Sequence, residues 1–182
     1  MRKQRTVLLS VCCALIFSAC GNKSIQVNSP DGNLNVAVSA SEAPTYSVIY
    51  KGDTILQPSS LGLHTTIGDF STGLKFKSST VTSVVEEYSL NRSKVSKVHT
   101  PANLLTATFT NANNDIIDML FFVSNNNLAI SYKLSSEKQT DCEITGEATA
   151  FDFPQNTTTI ITPQVRGGEG WMKSKPSYEE EY

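Results

Sequence analysis

The sequence predicts an all-β protein of antiparallel strands, a sandwich or a barrel. Three observations predict it. Apolar and polar residues alternate with a period of two in segment after segment, and no stretch sustains a 3.6-residue period. The composition is rich in Ser, Thr, Val and Asn, which favour strands and turns. Turn signals punctuate the chain at short spacing. With 182 residues, 39% of them hydrophobic, the chain can build one core. Charged residues make up 18% and the formal net charge is −2, so no basic field exists and no nucleic-acid partner is expected.

The N-terminus reads as an export signal. Arg2, Lys3 and Arg5 precede an apolar run from Val7 to Ala19. A bilayer-spanning helix needs about 20 such residues, so this run is too short to span. A positive start and a short apolar run define a signal peptide, here residues 1–19. It ends Phe17-Ser18-Ala19-Cys20, small residues before a cysteine, which resembles a bacterial lipobox with Phe17 where Leu is commonest. Cleavage before Cys20 is expected, with the Cys20 thiol carrying diacylglycerol. The alternative is an ordinary signal cut near Ala19.

Cleavage changes the cysteine and charge counts. Cys12 and Cys13 leave with the signal, and Cys20 becomes the anchor. Only Cys142 remains, so neither an internal disulfide nor a cysteine zinc site is possible. Cys142 is expected as a small strand residue. The 15 basic residues lose three with the signal, leaving 12 against 17 acidic ones, a formal −5. Membrane attachment therefore rests on lipid chains, at about 0.8 kcal/mol per buried methylene, and not on charge.

The exported part reads as strands. Residues 21–28 hold a tether and a first strand. Ser29-Pro30-Asp31-Gly32 has turn chemistry: Pro presets φ and Gly permits an unusual backbone. Leu34, Val36, Val38 and Ala40 then share one face. Tyr46, Val48 and Tyr50 alternate next, and Lys51-Gly52-Asp53 turns the chain into Thr54-Ile55-Leu56. Pro58 is expected to interrupt, with extended character resuming over Leu61–Thr66. Further strands are expected over Val81–Tyr88, Leu104–Thr110, Ile116–Ser124 and Leu128–Leu134. Asn111–Asn114 and Ser124–Asn127 are expected as connections. Asp141–Phe153 alternates more loosely, and Thr157–Thr162 is a β-branched run. From Pro163 the pattern becomes loop-like.

The order of local blocks resembles one family. Ser29-Pro30-Asp31-Gly32 leads into a strand. Ala43-Pro44-Thr45-Tyr46 leads into Ser47-Val48-Ile49-Tyr50 and a Lys51-Gly52 turn. Pro58-Ser59-Ser60-Leu61-Gly62-Leu63 follows, then Asn126-Asn127-Leu128-Ala129-Ile130-Ser131-Tyr132. Glu147-Ala148-Thr149-Ala150-Phe151-Asp152-Phe153-Pro154 comes next, then Gly170-Trp171 and Pro176-Ser177-Tyr178-Glu179. Together these resemble the N-terminal domain of glycoside hydrolase family 97, from about Ile25 to Tyr182.

The resemblance implies an antiparallel β-supersandwich, similar to galactose mutarotase. In the family it precedes a (β/α)₈ barrel, which carries the catalytic carboxylates, and a small C-terminal β domain. It implies an exported α-glucosidase or α-galactosidase of a Gram-negative bacterium, with calcium in the active site. The sequence reaches none of the barrel. Residues 29–182 are therefore expected to be an incomplete N-terminal sandwich domain, inactive alone because glycoside hydrolysis needs two flanking carboxyl groups.

The resemblance also implies site residues. Glu179 matches the segment that presents the domain's calcium ligand, with Glu180 and Glu181 open as alternative registers. Calcium takes 6–8 oxygens, so one loop glutamate needs the missing barrel to hold it. Trp171, in a Gly-rich loop, is the candidate to stack on a sugar ring; packing the loop down is the alternative. Glu86 and Glu87 are adjacent in a strand and point to opposite faces, so they do not form an acid–base pair. His64 reads as a strand side chain.

The function these readings support is the non-catalytic N-terminal portion of an exported α-glycosidase. It would support the barrel and lend a calcium ligand. Its partners would be an α-linked oligosaccharide or polysaccharide, its own barrel and, through Cys20, a periplasmic or outer membrane. The alternative is a stand-alone carbohydrate-binding surface lipoprotein without enzymatic activity.

Overall fold

A computed structural model describes residues 24–92, 94, 96–136 and 141–160. Among them run β1 (Ser24–Asn28), β2 (Leu34–Ser39), β3 (Thr45–Tyr50), β4 (Asp53–Ser60), β5 (Leu63–Thr65), β6 (Gly68–Asp69), β7 (Lys75–Ser89), β8 (Lys97–Thr110), β9 (Ile116–Ser124), β10 (Leu128–Ser135) and β11 (Ile144–Glu147). One sheet has the order β1-β2-β3-β4 and a second the order β10-β9-β8-β7; β11-β5-β6 makes a small third sheet. Every pairing is antiparallel. The fold is an all-β antiparallel sandwich with no closed barrel.

Alternation builds the core. In β2, Leu34, Val36 and Val38 are buried; in β9, Ile117, Met119, Phe121 and Val123 are. With a period of two, each set shares one face, and burying that face fixes the register. The two faces meet with β1 against β8 and β2 against β9. The Tyr46 ring of β3 packs on Phe121 of β9 at 6.2 Å between centroids. Leu61, Phe70 and Leu74, from the connection between the main sheets, are fully buried in the same core.

The first hairpin depends on the expected turn. The Ser29 hydroxyl donates to Asp31 at 2.6 Å, the Leu34 amide donates back to Ser29 Oγ, and Gly32 takes φ +75°. The Asp31 amide donates to Asn125 in the opposite sheet's turn, and Asn103 Nδ2 donates to the Asn28 carbonyl. These bonds tie the sheets together at one end.

Three expectations need correction. Pro58 does not interrupt β4. Tyr46 pairs with Ser59 and Val48 with Leu56, so Ser47 faces both Gln57 and Pro58 across a bulge. An outer strand of its sheet with a bulge tolerates a residue that lacks an amide proton. Residues 157–160 of the β-branched run form no strand, and Ile160 is 96% exposed. Cys142 lies ahead of β11 and is exposed, not a strand residue.

β7 and β8 also extend well beyond the expected strands. Their ladder runs from Lys75–Thr110 to Ser89–Lys97, while β9 pairs with β8 only between Ala102 and Thr110. Beyond Ala102 the pair continues as a two-stranded arm. Pro101 sits in that arm, where β8 has a neighbour on one side only.

Candidate functional site

The main concavity lies between the sheets at the side where β4 and β10 end them. It encloses about 640 Å³, lined by Tyr46, Val48 and Leu56 from the first sheet and by Leu128, Ile130 and Tyr132 from β10. Phe151, itself exposed, also lines it. The segment after β11 forms the rim by running along β4. The Ala148 amide donates to Gly62 O, Ala150 N to Ser60 O, and Gln57 N to Asp152 O, at 2.8–3.1 Å.

Two tyrosine hydroxyls join the rim to the sheets. Tyr46 Oη donates to Ala150 O at 3.0 Å. Tyr132 Oη accepts the Gly62 amide at 3.1 Å and lies 2.5 Å from Thr149 Oγ1. Burial pushes both phenols above their ordinary value of 10.0, and each is pushed further by a charge neighbour, Tyr132 for Tyr46 and Glu147 for Tyr132. Hydrogen bonds from Thr149 and Gly62 oppose the shift at Tyr132. Both hydroxyls are engaged in structure.

A second hollow of about 650 Å³ lies on the outer face of the second sheet, over Leu104, Leu120 and Phe122, beside Tyr88 and Glu86 of the arm. Glu87 points away from it and pairs across the arm with His99, Oε1 to Nδ1 at 2.7 Å. The neighbouring glutamates therefore stand on opposite faces, as strand geometry requires. The Glu87–His99 pair was not legible in the sequence, because the register of a long hairpin with an unrecognised turn sets it.

The small third sheet holds His64 and Asp69 as cross-strand partners, with Nδ1 3.4 Å from Oδ1. Desolvation raises the Asp69 pKa, but the Ser71 hydroxyl and amide, then His64, hold it below the ordinary carboxylate value. Ser71 donates to Asp69 and is committed to that turn, so the trio lacks the order of a nucleophile–base–carboxylate relay.

What these places can do chemically is limited. Among the described residues, Glu147 is the only carboxylate lining the groove, and Glu86 the only one lining the outer hollow. Neither has the facing pair that glycoside hydrolysis needs. Among the described residues, no group of three or more His, Cys, Asp or Glu could hold a metal ion. These residues do not fit a calcium site by themselves. Glu179, Trp171 and Cys20 lie outside the described residues.

Fold and groove define an antiparallel β-sandwich domain with an apolar groove between its sheets. Residues 27–182 match the family described as "Glycosyl-hydrolase 97 N-terminal". The chain belongs to that family. A solved β-arabinopyranosidase is 40% identical over 87% of this chain, with a TM-score of 0.80. A glycoside hydrolase family 97 enzyme from Pseudoalteromonas sp. strain K8, solved with panose and with acarbose, is 24% identical over 72% of this chain, at a TM-score of 0.65. The chain spans 26% of the first of these structures and 20% of the second. No curated protein matches.

Proposed function

We propose that this chain is the N-terminal supporting domain of an exported glycosidase that cleaves a pyranoside. The observation that carries this reading is the 40% identity, at TM-score 0.80, to a β-arabinopyranosidase. A β-L-arabinopyranoside has the ring configuration of an α-D-galactopyranoside without its hydroxymethyl group. The α-galactoside reading and this relative's substrate therefore meet in one class. The domain does no chemistry. It buttresses a barrel that holds the acid and base, and shapes the approach of the sugar. Glu179 lends that site one carboxylate oxygen for calcium, a hard cation that takes oxygen ligands. Trp171 offers an aromatic face to the sugar ring. Cys20 carries the lipid that holds the protein to the membrane.

The test is a longer gene product from the same locus, assayed on nitrophenyl arabinopyranoside and α-galactoside. Calcium-dependent turnover that Glu179→Gln abolishes, together with no turnover by residues 21–182, is the expected result. Specific glycan binding by residues 21–182, with no longer product made, would replace this reading with the stand-alone binding lipoprotein.

A further inference from the structure

The two hollows are of similar size but differ in what their polar groups do. In the groove between the sheets, the hydroxyls of Tyr46, Tyr132 and Thr149 are committed to the rim. In the outer hollow the reverse holds. Among the described residues, no partner engages the Tyr88 hydroxyl, the Glu86 carboxylate or the hydroxyls of Thr100 and Ser131. Four polar groups line one hollow with their bonds still to make.

The floor between them is apolar. Leu104 of β8 stands opposite Phe122 of β9, and Phe122 opposite Ala129 of β10. Leu120 lies two residues along β9 and so shares that face. Leu104, Leu120 and Phe122 are half-buried on the face turned away from the core, where polar residues ordinarily stand.

The arm supplies the wall. Beyond Ala102, β7 and β8 pair only with each other, and a two-stranded ribbon is marginal in water by itself. Glu87 and His99 bond across its far face. On its near face Glu86 and Thr100 are cross-strand neighbours, and Tyr88 is 50% exposed. The arm thus holds an aromatic ring and a carboxylate beside an apolar floor.

The class of ligand follows from these groups. Among the described residues, Glu86 is the only charge lining the hollow, so an anion meets no countercharge there. A carboxylate only accepts hydrogen bonds, which suits a ligand rich in hydroxyl donors. A wholly apolar ligand would desolvate the polar groups without pairing them. A neutral oligosaccharide has both surfaces, with C–H groups on its ring faces and hydroxyls around its edges. The volume of about 650 Å³ lies within the roughly 300–1,000 Å³ of small-molecule sites.

We propose that the outer hollow is a binding site for a neutral oligosaccharide. A sugar ring lies on the Leu104 and Phe122 floor with Tyr88 against it, and Glu86 and Thr100 bond its hydroxyls. The site stands on the hollow alone and does not depend on the proposed barrel.

Calorimetric titration of the full chain tests this. Maltoheptaose and arabinogalactan oligosaccharides are the neutral probes, and trigalacturonate is the anionic one. At least one neutral probe should bind, and trigalacturonate should not. Tyr88→Ala and Glu86→Gln should each weaken binding roughly tenfold or more, and Glu87→Gln, on the far face of the arm, should not. Should Tyr88→Ala unfold the arm, Glu86→Gln decides, because it keeps the side chain's shape at an exposed position. Failure of both neutral probes to bind, equal binding of trigalacturonate, or binding that Tyr88→Ala and Glu86→Gln leave intact would overturn the proposal. Binding by this chain that a longer gene product lacks would also overturn it, because another domain then covers the hollow. Turnover by that longer product is a separate readout, so the two proposals can fail independently.

Discussion

Tyr132 Oη and Thr149 Oγ1 lie 2.5 Å apart, and this contact joins the last strand of the second sheet to the rim along the first. The same phenol accepts the Gly62 amide at 3.1 Å. One side chain thus holds three pieces of chain that are far apart in sequence. Tyr132→Phe removes both bonds and leaves the Gly62 amide without its partner. A loss of about 1–3 kcal/mol is expected in urea denaturation. Thr149→Val, which leaves the Gly62 bond intact, should cost less.

Gly62 is the second sensitive point. Its φ is +136°, and a Cβ there would stand 2.4 Å from the Phe70 carbonyl oxygen and 2.5 Å from Ser71 Cα. Both obstacles are backbone, so a side chain cannot be accommodated by rotation. Gly62→Ala is expected to cost more than about 2 kcal/mol, read as a lower melting temperature. Gly32→Ala is the control: it also has positive φ, but nothing lies within 4 Å. The smaller effect at Gly32 isolates the steric part.

Stability should depend on pH at the acid end through Asp69. Its folded pKa is lowered from 3.8: desolvation acts upward, but the Ser71 hydroxyl and amide outweigh it. The unfolded state therefore binds the proton more readily. The stabilisation is fully present above 3.8 and is lost as pH falls through the lower folded value. Asp69→Asn should flatten the stability curve at acid pH below 3.8. An unchanged slope would show that another carboxylate controls that range, Asp31 first, since its hydrogen bonds from Ser29 and Asn33 also lower its pKa.

At the alkaline end the sign reverses. The folded pKa values of Tyr46 and Tyr132 are raised above 10.0, chiefly by burial. Their contribution is whole below 10.0 and is lost as pH rises through the folded values. Ultraviolet titration should show these two phenols ionising late, with unfolding.

The proposed lipid attachment at Cys20 is open to a direct measurement. If the proposal holds, detergent phase partitioning should place the protein in the detergent phase, and Cys20→Ser should move it to the aqueous phase. One acyl chain gives only marginal membrane binding, so the shift should be large if several chains are attached.

Much of the architecture was legible locally. The alternation in Leu34–Ser39 and Ile116–Ser124 identifies two core strands. The Ser29–Gly32 sequence contains the groups that close its own turn, Ser29 on Asp31 and Gly32 at positive φ. Such features depend on neighbours a few residues apart, and a linear reading sees them. The ordered blocks from Ser29 to Glu179 also point to the family.

Tertiary structure decided the rest. Pro58 stays within β4 because an outer strand and a bulge spare its missing amide. Lys75–Thr80 is polar and hardly alternates, yet it is strand because β8 pairs with it. His99 meets Glu87 only through hairpin register. The groove needs β10, β4 and the Phe151 rim at once. Strand pairing and sheet packing join residues that are distant in the chain, so their identity follows from register and offset, which no local pattern encodes.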